Sequence, residues 1–474
     1  VNTFKLLING ELAPGAGSIP VLNPATEDVI AQCPTASPAQ LEEAVQGAKR
    51  AFETWQHSSY AERAELVERI VHVMEAHAAE LAAILTAEQG KPLAAAEAEV
   101  GFAGIFARHF AGLRCEPKVL SESPEQRIEI HRRPLGVVAG ICPWNFPLLI
   151  AMYKIAPALM MGNTVIIKPA PTTPLSVLRL AALIQDFVPP GVITVLADNN
   201  DLGPLITSHP DIAKISFTGS TLTGKRIMAS AADTLKRLTL ELGGNDAAIV
   251  LDDVDVPAAA QAIFNAAFIN SGQVCIALKR LYVQDTIYDD LCDALAALAN
   301  AAIVGDGSHP DSQFGPVQNK AQFEKVCAYI DNAKQHGTII AGGDIPDKKG
   351  YFVPLTIVRD IEDGCAVVDE EPFGPVLPVV KFSDVEEVIN RANHSPFGLG
   401  GSVWSADIDK AQAIATRLDT GTVWINQHCA FGPHIPFPPA KESGIGVEWG
   451  QEGMEEFSAM QVINVNKIIA QPVH

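Results

Sequence analysis

The amino-acid sequence predicts an α/β protein made of two doubly wound units and one small β element. Three observations carry that reading. Short apolar strands alternate with helical stretches from about 134 to 244, the pattern of a parallel sheet covered on both faces. The alternation pauses at "KRLTLELGG" and then restarts, which marks a second α/β unit. Two distant segments, "EQRIEIHRRPLG" (125–136) and "MQVINVNKI" (460–468), alternate like strands with an exposed face.

The elements follow in chain order. From about 38 to 112 the pattern is helical and rich in Ala and Glu, beginning with "PAQLEEAVQGAKRAFETW". "GVVAGI" leads to a helix from 147, "NTVIIKP" to one from 174, "GVITVLA" to one near 201, and "IAKISFTG" to one from 221. In the second unit, strands are expected near 247–251 and 280–284, with helices near 257–271 and 286–302. The two exposed strands, so far apart in the chain, are expected to pair with each other or with another subunit.

Composition removes several functions. The chain has 474 residues, 48% hydrophobic and 19% charged, enough apolar content for a large core. A net charge of −21 repels a phosphate backbone and an anionic membrane, so neither nucleic acid nor membrane is an expected partner. The most membrane-like stretch, "LGVVAGICPWNFPLLIAMY", carries Pro143 and Pro147 around Asn145 and reads as a buried strand, a tight loop and a buried helix. The eight cysteines are scattered without a CxxC pair, and no apolar leader is visible, so the expected setting is the reducing cytoplasm. No HExxH or ligand-like histidine cluster occurs, and no metal is expected.

"GSTLTGKR" (219–226) nearly spells a P-loop, but Arg226 stands where a magnesium-holding Ser or Thr is required. The glycine-rich strand-to-helix turn still offers backbone N–H groups and a helix N-terminus to an anion. Four other short stretches carry chemistry. Cys275 lies in "INSGQVCIALKR", beside a Lys279-Arg280 pair; alone it reads as a core thiol, but as a thiolate it is a nucleophile needing a polar or electropositive setting. Glu241 ends an apolar strand in "LELGGN", where buried surroundings raise a carboxyl pKa and suit a general base. Asn145, in the proline-flanked "CPWNFP" loop, can donate to a developing oxyanion. Glu371 in "EEPFGPV" precedes a turn whose Phe373 can pack on a flat ring.

Together the motifs "PWNFP", "IIKPA", "FTGSTLTGK", "LELGG", "GQVC", "EEPFGPV" and "SGIG" make the chain resemble the NAD(P)-dependent aldehyde dehydrogenase superfamily over essentially its whole length. The resemblance implies an aldehyde-dehydrogenase-like fold. Residues 1–113 and 134–244 would form a Rossmann-type NAD(P)-binding domain and 245–441 an α/β catalytic domain, with 114–133 and 455–474 as a small β oligomerisation element. It implies Cys275 as nucleophile, Asn145 with the Cys275 N–H as oxyanion donors, and Glu241 as the base that hydrolyses the thioester. The implied cofactor is NAD, held by Ile141, Pro143, Trp144, Lys168, Gly203, Gly219, Ser220, Thr223, Glu371 and Phe373. A homodimer or homotetramer is implied as well.

Two positions depart from the family pattern. Pro171 stands where many NAD-preferring members carry a glutamate that repels a 2′-phosphate, which leaves NADP open. "PFPP" (Phe437 to Pro439) replaces the common "PFGG", so a stiffer loop is expected at the substrate entrance. The expected aldehyde tunnel runs along 426–439 with Phe431 and Phe437, and along the helix after "PWNFP" with Leu148, Leu149, Met152 and Tyr153. An apolar tunnel suits neutral aliphatic or aromatic aldehydes, because a buried carboxylate needs a cationic partner. The alternatives are a semialdehyde dehydrogenase acting on a carboxylate-bearing aldehyde, and a CoA-acylating enzyme.

Overall fold

A computed structural model describes residues 3–468; Val1, Asn2 and 469–474, the end of the expected oligomerisation segment, lie outside the described residues. The first layer is an eight-stranded sheet. Its five central strands are parallel and buried: Ile193–Val195, Thr164–Lys168, Val137–Ile141, Ile212–Thr218 and Arg237–Glu241, in that spatial order. After the antiparallel strands Leu6–Ile8 and Glu11–Ala13 at one edge, the parallel part begins at Val137–Ile141, winds outward through Thr164–Lys168 to Ile193–Val195, then returns to the other side at Ile212–Thr218. The crevice between Val137–Ile141 and Ile212–Thr218 is therefore the topological switch point, where open parallel sheets bind ligands.

The second layer is a seven-stranded sheet, ordered Thr338–Ala341, Thr356–Arg359, Val376–Phe382, Leu278–Gln284, Asp246–Val250, Gly400–Trp404 and Thr422–Ile425. It is parallel except at the Thr338–Ala341 edge, and apolar cores cover both faces. The chain crosses between the sheets in the short Leu242–Asn245 link. A Cβ on Gly244 would lie 2.5 Å from the Cys275 carbonyl, so only glycine fits there, and one on Gly243 would press on the Glu371 carboxylate at 2.5 Å.

Helices Pro38–Trp55 and Tyr60–Ala76 begin with capping boxes, Ser37 with Gln40 and Ser59 with Glu62. The Leu93–Gly112 helix packs against the Pro147–Met160 helix, which is buried along its whole length. Among the described residues no single helix is long and apolar enough to cross a membrane. The two distant exposed strands pair within one chain: Ser458–Asn466 runs antiparallel to Gln126–Pro134 from Ser458↔Pro134 to Asn466↔Gln126, and Lys118–Glu122 completes a three-stranded sheet.

Candidate active site

One cavity of about 360 Å³ lies between the C-terminal ends of the first sheet and the start of the second. Its wall gathers Asn145 from the loop after Val137–Ile141, Glu241 from the end of Arg237–Glu241, and Cys275 from the turn before Leu278–Gln284. Pro143, Trp144, Gly219, Ser220, Glu371, Phe373, Leu149, Phe431 and Phe437 line it too.

The turn that presents Cys275 is wound the unusual way. Asn270 (φ 49°), Ser271 (φ 56°) and Gly272 (φ 72°) are all left-handed. A side chain at Gly272 would meet the Gly374 carbonyl at 2.2 Å. Asn and Ser tolerate this backbone only at a cost, which hydrogen bonds offset here: Asn270 Nδ2 donates to the Asn145 carbonyl (3.2 Å) and Ser271 Oγ to the Gly315 carbonyl (2.8 Å).

The thiol of Cys275 is half-buried in this wall, and its pKa is pushed up to about 12. Burial is the main cause; Lys279 opposes it, while Glu241, Glu371 and Asp246 add to it. Lys279 lends the thiol a favourable field that burial outweighs, and its ammonium is engaged elsewhere as well. Lys279 Nζ donates to the Cys275 carbonyl (2.5 Å) and sits 3.6 Å from Glu371 Oε1, while Arg280 donates to the Asn245 and Ala392 carbonyls. Both cations brace the backbone, and in this state the thiol is held protonated.

Asn145 is buried. Its Nδ2 donates to the Gln273 carbonyl (3.0 Å) and its Oδ1 accepts from the Phe146 N–H (3.1 Å), which leaves one amide hydrogen for another acceptor. Glu241 is buried with neither carboxylate oxygen hydrogen-bonded. Its pKa stands well above the ordinary carboxyl range, first because of burial, then because of the Glu448 charge; Lys154 opposes the rise. Glu448 and Lys154 form a buried ion pair at 2.9 Å, and Ser216 Oγ donates to Glu448 (3.1 Å). Neither residue is singled out by the sequence reading, although a lone lysine inside the apolar run "LLIAMYKIAPALM" is a signal that a buried partner exists. Trp449, Lys91 and Glu99 also belong to the wall without a motif to announce them.

Trp144 and Phe373 meet edge-on, with ring centroids 5.2 Å apart, beside Glu371, whose Oε1 accepts from the Gly244 N–H (3.0 Å). Ser220 caps the Thr221–Ala231 helix, its Oγ accepting from the Thr223 N–H (3.3 Å) and donating to Thr223 Oγ1 (2.9 Å). Lys225 of the P-loop-like stretch pairs with Glu442 at 2.8 Å.

The remaining expected cofactor residues lie outside the cavity wall. Ile141 is buried at the end of its strand, Gly203 opens the Gly203–Ser208 helix, and Thr223 is exposed. Lys168 ends the strand next to the switch-point strand, at the carboxyl edge where doubly wound sheets bind ligands. Its Nζ is 2.7 Å from Asp198 Oδ1 and 3.1 Å from Asn200 Oδ1.

Two substrate-side expectations are corrected. Met152 and Leu148 do not line the cavity; both are fully buried in the core. The helix offers the cavity Leu149, Ile150 and Tyr153, and at about 100° per residue Met152 is turned roughly 110° from the middle of that strip. Pro438 and Pro439 do not border the cavity either. Phe437 does, bridged to Glu448 by two backbone hydrogen bonds, whereas the prolines pack on Gly421 and Gly444. Among the described residues no group of three or more His, Cys, Asp or Glu is placed to hold a metal ion.

Comparison with known proteins adds to this geometry. The model of the aldehyde dehydrogenase family matches residues 12–463. Aldehyde dehydrogenase LUC3 of a Fusarium species is 39% identical over 468 residues, 98% of this chain and 99% of the relative. Betaine aldehyde dehydrogenase of Rhizobium etli is 38% identical over 469 residues, 97% of this chain and 96% of the relative. The solved NAD+ complex of an aldehyde dehydrogenase from Bacillus cereus superposes with a TM-score of 0.95 at 37% identity, covering 98% of this chain and 97% of that one.

Proposed function

The chain belongs to the aldehyde dehydrogenase family and is an oxidoreductase acting on aldehydes; from that premise we propose that it oxidises a neutral aliphatic or aromatic aldehyde to its carboxylic acid with NAD, through a thiohemiacetal and a thioester on Cys275. The observation that carries the proposal is Glu241, whose two oxygens are buried in the wall of the thiol's cavity without a hydrogen-bond partner. A carboxylate left unsatisfied in that way is poised to take a proton.

Each step has a residue. The Cys275 sulfur, its proton released to solvent, adds to the aldehyde carbon as the thiolate. The free amide hydrogen of Asn145 and the Cys275 N–H hold the oxyanion. The cofactor would lie along the cavity wall beside the Trp144–Phe373 pair, where Glu371 offers a carboxylate for ribose hydroxyls and Gly243 has no Cβ to obstruct it. A nicotinamide cofactor held by these residues would supply a positive charge near the thiol and an acceptor for the hydride. Glu241 then draws a proton from water as that water attacks the thioester. This use of Glu241 favours hydrolysis over transfer to coenzyme A.

The preference for NAD over NADP is supported at Lys168. Pro171 provides no carboxylate, but Asp198 does, and its ion pair with Lys168 removes the free cation a 2′-phosphate would seek. On the substrate side, the buried cation in the wall, Lys91, is paired with Glu99, and the other, Lys325, is exposed to solvent and donates to the Glu371 carbonyl. That argues against a semialdehyde. The relative named for betaine aldehyde suggests a second reading, a cationic aldehyde, which the ring faces of Tyr153, Phe431 and Trp449 would favour. Initial rates on neutral aldehydes of rising chain length, a carboxylate-bearing aldehyde and betaine aldehyde, each with NAD and NADP, test the assignment. A highest kcat/KM on the carboxylate-bearing member would overturn it.

We further propose that the eight-stranded layer is the cofactor domain and the seven-stranded layer the catalytic domain. The three-stranded sheet is assigned to assembly into a homodimer or homotetramer. Among the described residues its outer strands are paired on one edge only, and Val119, Leu120, Met460 and Val462 are exposed on it. Light scattering after size exclusion tests this, and a monomer would refute it. Eight cysteines without a disulfide suit a reducing cytoplasm.

A further inference from the structure

We propose that Lys91, held in place by Glu99, is a positioning residue for the oxyanion donor Asn145; this rests on the reading of Asn145 given above. Lys91 follows the Ala78–Gln89 helix and lies in the cavity wall. Its Nζ donates to Glu99 Oε2 (2.6 Å) and to the Asn145 carbonyl (2.9 Å), and stands 3.8 Å from the centre of the Phe146 ring. The ammonium therefore grips the peptide on which the donating amide is mounted.

Glu99 holds the other side of the same loop. Its Oε1 accepts from the Leu148 N–H (3.0 Å) and the Leu149 N–H (3.2 Å), in the first turn of the Pro147–Met160 helix. That helix has no capping side chain of its own at its N-terminus, so Glu99 supplies the missing acceptor. The ion pair thus clamps the chain immediately before and after Phe146, and Asn145 is left little freedom to turn. The Asn270 amide completes the grip on the Asn145 carbonyl (3.2 Å), tying this loop to the turn that carries Cys275.

The energetics favour a positioning role over a stabilising one. Both side chains are buried, with 1% and 0% exposure. A buried ion pair is often no better for stability than apolar residues of the same volume, because desolvation offsets the attraction. Placing one here secures geometry: a donor is effective only when held where the negative charge develops.

The test is a double-mutant cycle between Lys91→Met/Glu99→Gln, which removes both charges and so leaves no unpaired buried ion, and Asn145→Ala. With Asn145 present, kcat/KM for the aldehyde is expected to fall by about tenfold to a hundredfold, within the range of losing an oxyanion donor. The NAD dissociation constant, read by calorimetry without turnover, is expected to stay within about twofold, since the clamp touches none of the cofactor residues. With Asn145→Ala already in place, adding the Lys91/Glu99 change should lower kcat/KM no further than about threefold, the coupling expected of groups acting as one unit. Equal losses in both backgrounds would overturn the positioning role while leaving Asn145 as donor. A harmless Asn145→Ala would instead overturn the oxyanion assignment, and this inference with it. If the double variant does not fold, Lys91→Arg carries the same comparison: a fall that vanishes on Asn145→Ala supports the inference, and an additive fall overturns it.

Discussion

Asp198→Asn should turn the enzyme toward NADP. The substitution keeps the size of the side chain and its hydrogen bond to the Leu202 N–H (3.0 Å), but removes the charge 2.7 Å from Lys168. Two effects follow with the same sign. A 2′-phosphate at the ribose no longer faces a carboxylate, and the Lys168 ammonium is released to attract it. At an effective dielectric of about 20, unit charges about 5–10 Å apart interact by about 1.7–3.3 kcal/mol. That corresponds to about a twenty- to two-hundredfold change in relative specificity. Asn200 still accepts from Lys168 and tempers the gain, so a rise of about tenfold in the NADP/NAD ratio of kcat/KM is the least the reasoning allows. The assay is initial rates with each cofactor at saturating aldehyde, together with calorimetric binding of 2′,5′-ADP and 5′-AMP. An unchanged ratio in a folded variant would show that Asp198 does not face the ribose.

Three further outcomes are expected. Cys275→Ala should abolish turnover and leave NAD binding nearly unchanged, since only the sulfur forms the covalent bond; residual activity above a few per cent in rate assays would place the nucleophile elsewhere. Glu241→Gln should show a burst of NADH in rapid mixing followed by slow turnover, because a neutral amide cannot take the water's proton. Loss of the burst as well would mean that Glu241 is also needed to deprotonate Cys275. Glu241 acts as a base only when ionised, and its raised pKa puts the acid limb of kcat above the ordinary carboxyl range of about 4.3. Glu448→Gln removes the like charge and leaves Lys154 unopposed; both changes lower the Glu241 pKa, so the limb should move to lower pH. A limb that stays or rises would contradict the assignment.

Legibility in the sequence follows the range of the interaction. The parallel strands, the crossing at "LELGG" and the three proposed reacting groups each sit in a local pattern of residues, and the structure brings Cys275, Glu241 and Asn145 to one wall. The ion pairs behind them have no such pattern. Lys154 and Glu448 are far apart in the chain, and Lys91 reaches Asn145 only because two helices pack together. Lys279 and Arg280 lie close to the thiol in the sequence but act on it unequally. Lys279 lowers its pKa against the burial that raises it, while Arg280 is turned to the Asn245 and Ala392 carbonyls. Met152 failed as a tunnel residue by one step of helical phase, a precision that an apolar run without polar markers does not encode.

The short Leu242–Asn245 crossing sets the proposed nucleophile and the proposed base on different sheets: Glu241 closes one, and Cys275 stands just before a strand of the other. The gap between sulfur and carboxylate is thus a measure of how the two layers sit against each other. Any cosolvent, crowding agent or neighbouring subunit that shifts that seating by a fraction of an ångström acts on the reaction without touching a reacting residue. The catalytic rate of this fold is in that sense a gauge of its own interlayer alignment.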